Sequence, residues 1–183
     1  MTTGITPRVK VWDRTVRVLH WVLVLSVALA WLSTLRFVDL HQPVGYLTLA
    51  VVLLRGVWGC IGGRYARFRQ FVRSPRTTLI YLRQVLQRRE ARYIGHNPLG
   101  SWMILALMGC VSGLALTGWL YTTDWFWGDE LVGDLHHALA WVLLGMIGLH
   151  VTGVIFASIR HRENLVRAMV DGSKPAARPL DID

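Results

Sequence analysis

Cysteine is scarce: the 183 residues contain two, Cys60 and Cys110. Both fall in apolar segments, where they read as small helix-packing residues. Neither belongs to a C-x-x-C-H run for covalent cofactor attachment. Charge is scarce too. Charged residues make up 17% of the chain against 53% hydrophobic, and mean hydropathy is +0.39. Four windows, roughly 16–35, 43–61, 99–121 and 135–159, almost lack polar residues at helical spacing. That excludes a soluble four-helix bundle, whose helices would each carry a polar stripe. A small-residue cleavage site is missing after the first window, where Thr34-Leu35-Arg36-Phe37 stands. The window is therefore expected to persist as a helix and not to be removed as a signal peptide.

What is present fits a membrane. Each window has about the 20 residues needed to cross a hydrocarbon core of about 30 Å. In lipid every backbone polar group must bond internally, which leaves helices as the solution for such windows. The expected fold class is all-α, an integral membrane four-helix bundle. Helices are expected at about 14–37, 42–61, 98–121 and 134–160, within a transmembrane domain spanning 1–172, followed by a tail at 173–183. The net charge of +9 is not a nucleic-acid signature, because of where it sits. The connection 62–98 has nine Arg and one acid, whereas 122–134 has four acids and no Lys or Arg. With four spans, both termini and the 62–98 connection share one side, and the positive-inside rule makes that side the cytoplasm. A patch for anionic lipid is a secondary reading of the same charges.

Local signals punctuate the spans. Trp12 reads as an interface anchor and Asp13 as a helix N-cap. Pro43 suits the first turn of the second helix, where a missing N–H costs little. In SPRTTLIYLRQVLQRR, residues 74–89, Ser74 can cap and Pro75 can open a helix. Leu79, Leu82, Val85 and Leu86 share a face there, the pattern of an amphipathic helix on a membrane surface. GHNPLG, residues 95–100, breaks the chain before the third span, and residues 172–183 read as a frayed tail.

Seven histidines are present: His20, His41, His96, His136, His137, His150 and His161. His20 is near the cytoplasmic end of the first span. His41 and His136 stand at the periplasmic starts of the second and fourth spans, and His150 lies deeper in the fourth, on its cytoplasmic half. At about 100° per residue, the fourteen residues between His136 and His150 bring both to one side of a helix, about 21 Å apart along its axis. His137 is about 140° off that line. One ion cannot bridge imidazoles so far apart, since metal–nitrogen bonds are about 2.0–2.1 Å. Two sites fit, pairing His41 with His136 near one face and His20 with His150 near the other. Each would join two histidines from different helices, which suits a haem held between helices by axial ligands. Zinc fits poorly, because no carboxylates or thiolates complete either set.

VWDRTVRVLHW (11–21), LHQPVGY (40–46), LLRGVWGCIGGRYARFRQFV (53–72), YIGHNPLGSWMILAL (93–107), LHHALAWVLLGMIGLH (135–150) and RENLVRAM (162–169) follow in order. This set resembles the bacterial cytochrome b561 and Ni,Fe-hydrogenase b-type cytochrome family over about residues 9–172. The resemblance implies two b haems stacked across the bilayer of the bacterial inner membrane, with His20, His41, His136 and His150 as iron ligands. It also implies electron transfer between the quinone pool and a redox partner. Stand-alone members often work with a small periplasmic c-type cytochrome; this chain has no haem c motif, so that partner would be a separate protein.

Other residues carry weaker expectations. Arg55, inside the second span, suits a haem propionate or a quinone pocket, or snorkels to the head groups. Arg36 suits an outer propionate. Gly109 and Gly113 form a G-x-x-x-G pattern for close helix packing, and Gly45, Gly145 and Gly148 leave room for porphyrin faces. The nine tryptophans read as interface and packing residues. His96 reads as a loop residue or a group in quinone protonation. Alternative functions are a superoxide:quinone oxidoreductase, the b-type subunit of a hydrogenase-like complex, and a haem-free anchor or transporter. The acidic 122–134 connection opposes the superoxide reading, because it repels an anion and suits a basic cytochrome.

Overall fold

The computed structural model describes residues 7–183; the first six residues of the N-terminal lead fall outside it. The described chain is helical apart from one two-stranded ribbon. Strand β1 (Arg8–Lys10) precedes α1 (Arg14–Arg36) and α2 (Val38–Ile61). A 3-10 turn (Arg64–Ala66) and the short α3 (Phe68–Phe71) lead to α4 (Pro75–Leu86). Then come α5 (Pro98–Leu120), α6 (Glu130–His161), α7 (Leu165–Asp171) and β2 (Ser173–Pro175). Helices α1, α2, α5 and α6 are each long and apolar enough to cross a membrane. Leu25, Leu54, Leu116 and Leu149 stand exposed on them, as lipid-facing residues must. The protein is a membrane helical bundle.

Two compact units can be distinguished. One comprises Val18–Val57 and Ile104–Leu149. All four long helices meet in its core: Val52, Val111 and Leu143 are buried together, with Leu23, Val27, Leu107 and Ile147 packed around them. The G-x-x-x-G pair is used on one side only. A Cβ at Gly113 would stand 3.3 Å from Leu139 Cδ1, whereas one at Gly109 would meet nothing. Nearby, the Cys110 thiol donates to the Leu139 carbonyl at 3.5 Å, which agrees with a packing role for this cysteine. Helix α2 starts at Val38, so Pro43 lies inside it and not in its first turn. Only Phe37 separates α1 from α2.

The other unit comprises the chain up to Arg17, Trp58–Met103 and His150–Asp183. Asp13 caps α1, accepting from Val16 N–H at 2.8 Å, and also accepts from Trp58 Nε1 at 3.2 Å. Trp12 is not an interface anchor: it is buried in a core with Val11, Ile94 and Ala168. Nor is the C-terminal segment frayed. Strand β2 pairs antiparallel with β1, placing Val9 opposite Lys174. Ile182 then exchanges backbone hydrogen bonds at 2.9 Å with Arg92 and Ile94. The entry to this segment depends on Gly172. Its φ of 83° is left-handed, its carbonyl accepts from Val11 and Trp12 N–H, and a Cβ there would stand 2.6 Å from Trp12 O. Four charged side chains secure the segment from inside. Arg92 bonds Glu163 at 2.9 Å and also Asp181, while Lys174 Nζ is 3.1 Å from Glu163. All four are at most 6% exposed. Such a set is tolerable in a protein interior because its charges balance and its donors are bonded. Hydropathy does not reveal the set, because its members lie 71 to 89 positions from Arg92.

Candidate haem site

The His41–His136 pair lies wholly within the Val18–Val57 and Ile104–Leu149 unit. The tight corner at Phe37 folds the first turn of α2 back beside the last turns of α1, with Phe37 N–H donating to Ser33 O at 2.9 Å. His41 is thereby set near Ser33 and Ala30. Its Nδ1 is 3.0 Å from the Ala30 carbonyl and 3.2 Å from Ser33 Oγ. His136, in the second turn of α6, places its Nδ1 2.9 Å from Thr117 Oγ1 on α5. The two imidazoles meet with ring centroids 6.1 Å apart and planes at 78°.

These contacts determine the tautomers. A carbonyl can only accept, so His41 Nδ1 carries the proton that faces Ala30 O. The single hydroxyl proton of Thr117 is directed to the carbonyls of Gly113 and Leu114, at 2.9 and 3.1 Å. The Thr117 oxygen therefore accepts from His136 Nδ1–H. In both neutral rings the lone pair is left on Nε2, the form in which a histidine binds a metal while its other nitrogen is held by an outer partner. Space is shaped as well: a Cβ at Gly118 would stand 3.2 Å from His136 Cε1.

The neighbouring His137 is exposed, and its ring centroid is 6.4 Å from that of His136. His136, not His137, is the doublet member that faces His41. Among the other expected site residues, His20 lies on α1 beside Trp21, with centroids 5.4 Å apart. Arg55 on α2 is only 8% exposed, so its side chain is buried in the protein and does not snorkel. His150 lies on α6 and is half-buried; by residue range it belongs to the other unit. In that same unit, His96 sits between Trp12 and Phe71, with centroids at 4.5 and 4.7 Å. Cβ atoms at Gly45, Gly145 and Gly148 would meet nothing within 4 Å. Sequence reasoning missed Ser33, Thr117 and Gly118. A signal existed for the first two, since a hydroxyl within an apolar span needs a partner.

Residues 11–172 match the sequence pattern of prokaryotic cytochrome b561. The chain is similar to a probable Ni/Fe-hydrogenase B-type cytochrome subunit of Bradyrhizobium diazoefficiens, at 22% identity covering 92% of this chain and 86% of the relative. It is also similar to proteins of the same description from Azotobacter vinelandii, at 26% identity, and Azotobacter chroococcum mcd 1, at 25%. Each of these alignments covers 72% of this chain, which spans 65% of either relative's length. Because the pattern runs across nearly the whole sequence, from the lead before α1 to the end of α7, the chain belongs to the prokaryotic cytochrome b561 family and is a b-type membrane cytochrome of electron transfer.

Proposed function

We propose that this cytochrome holds two b haems and passes electrons between the quinone pool and a periplasmic redox partner such as a c-type cytochrome. The carrying observation is the His41–His136 relationship. Two metal–nitrogen bonds of about 2.0–2.1 Å, each continued by about 1.1 Å to a ring centre, set imidazoles on opposite faces of one iron about 6.3 Å apart. The observed separation is 6.1 Å. Among the described residues no three His, Cys, Asp or Glu side chains gather. A bare ion between these rings would lack further protein ligands, whereas a porphyrin brings four nitrogens. The donor set therefore fits haem b. For the second haem, the fourteen-residue register of α6 nominates His150.

A haem with two histidine ligands supplies a one-electron couple without an open iron position. The chain's own residues hold and tune it. Ser33, Ala30 and Thr117 fix the ligand tautomers and so the basicity of each Nε2. Arg55 offers a buried positive charge for a propionate or a quinone. The 122–134 connection, with four acids and no Lys or Arg, favours encounter with a basic partner. By the positive-inside rule the termini lie in the cytoplasm and the protein resides in the inner membrane.

The test is a haem assay on the purified full chain. Two non-covalent b haems per chain are expected, with oxidation by a basic c-type cytochrome after reduction by quinol. A colourless, folded preparation from haem-replete cells overturns the reading. A second reading, the b-type subunit of a hydrogenase complex, is favoured by the description shared by all three relatives. Stable co-purification with a hydrogenase and electron uptake from it would select that reading.

A further inference from the structure

We infer that a groove between α4 and the first turns of α5 is a binding site for one anionic phospholipid, and this goes beyond the electron-transfer reading. The groove has a volume of about 370 Å³ and is lined by Pro75, Thr78, Leu79, Leu82, Leu99 and Trp102. Leu99 and Trp102 belong to the start of a membrane span, so the groove lies at the edge of the hydrocarbon region. Helix α4 is fixed in rotation by its other side. Tyr81 is 4% exposed and packs edge-on against Tyr93 at 5.5 Å, while Ser74 caps the helix start through Thr77 N–H. Anchoring by Tyr81 leaves Leu79, Leu82 and Leu86 at 51, 37 and 76% exposure. A row of leucines this open needs an apolar cover.

Charge identifies the cover. Arg76 and Arg83 are both exposed and seven residues apart. Two helical turns therefore align them, about 90° around α4 from the leucine face. That places two cations flanking an apolar groove, the arrangement that suits a phosphodiester above an acyl chain. Glu90, the single acid of residues 62–98, is 1% exposed and paired with Arg160 at 2.6 Å. The site therefore prefers an anionic to a zwitterionic lipid, whose own cation would meet the arginines.

The test uses the full chain in nanodiscs of phosphatidylcholine, phosphatidylglycerol or an equal mixture, with native mass spectrometry of the released protein. Retention of one phosphatidylglycerol per chain, in preference to phosphatidylcholine from the mixture, is expected. Arg76→Gln with Arg83→Gln should reduce that preference by about tenfold or more, since each cation near a lipid surface contributes on the order of 1 kcal/mol. Leu82→Trp, which fills the groove, should abolish retention at unchanged haem content and melting temperature. Arg88→Gln with Arg89→Gln is the charge-matched control and should change retention little. Equal retention of the two lipids, an equal effect of the control pair, or retention of a quinone in place of phospholipid would each overturn the assignment.

Discussion

Thr117 Oγ1 accepts a hydrogen bond from Nδ1 of His136 at 2.9 Å while donating its own proton to helix carbonyls. That bond ties the chemistry of the proposed iron ligand on α6 to a hydroxyl on α5. It withdraws proton character from Nδ1 and makes Nε2 a stronger donor to an oxidised iron. Thr117→Val keeps the shape and removes the acceptor. The midpoint potential of the haem proposed at His41 and His136 should then rise, with haem affinity falling by about 10- to 100-fold. Redox titration followed in the visible spectrum measures both effects; an unchanged potential would mean that the bond does not tune the ligand.

The doublet separates the proposed ligand from its neighbour. His136→Ala should remove one haem per chain, and His137→Ala should spare both, because His137 is exposed while His136 faces His41. Pyridine haemochromogen counts on the two purified variants decide it. Loss of haem from the His137 variant alone would transfer the ligand role to that residue.

Gly118 tests the space around the same ring. An added Cβ already reaches 3.2 Å from His136 Cε1, so a larger side chain must displace the imidazole. Gly118→Ala should leave haem content near normal with a shifted potential. Gly118→Leu should lose the haem proposed at His136 while retaining any haem held elsewhere. Full occupancy in the leucine variant would show that the ring has room to move.

The four spans and the helix of residues 75–86 were legible because hydropathy and capping are local signals, complete within a dozen or two residues. Helix periodicity along α6 singles out His136 over His137, and the shared position of His41 and His136 at the starts of their spans pairs the two. Ser33 and Thr117 were not legible, because their role depends on which helix face meets which neighbour. The start of α2 differs from the expected one because a proline at position 43 suggests a helix beginning, yet the corner at Phe37 lets the helix open a turn sooner. The terminal segment departs from the expected frayed tail for a related reason. Its polar composition looks like a solvated tail, and only the fold brings Lys174 and Asp181 to Arg92 and Glu163.

Glu163 joins Arg92 and Lys174 in the interior of that cluster. Glu163→Gln removes the charge that both cations share and leaves them buried beside a neutral amide. Breaking a buried pair in this way costs about 3–5 kcal/mol. The variant should show a lower melting temperature and faster proteolytic removal of residues 173–183. Wild-type protease resistance would indicate that the β1–β2 ribbon alone holds the segment.

Lys174 supplies a pH signature for the same cluster. Burial lowers its proton affinity below the ordinary lysine value of 10.5, against the opposing attraction of Glu163. Between the depressed folded value and 10.5, the unfolded chain binds the proton that the folded chain has released. Stability therefore rises with pH across that window through this group, and the penalty of burying the cation is fully present below it. Lys174→Met removes the titration and keeps most of the volume. Unfolding measured in detergent as pH approaches 10.5 should give a flatter, less rising stability profile for the variant than for the wild type. Parallel profiles would show that Lys174 binds its proton equally well in the folded and unfolded chains.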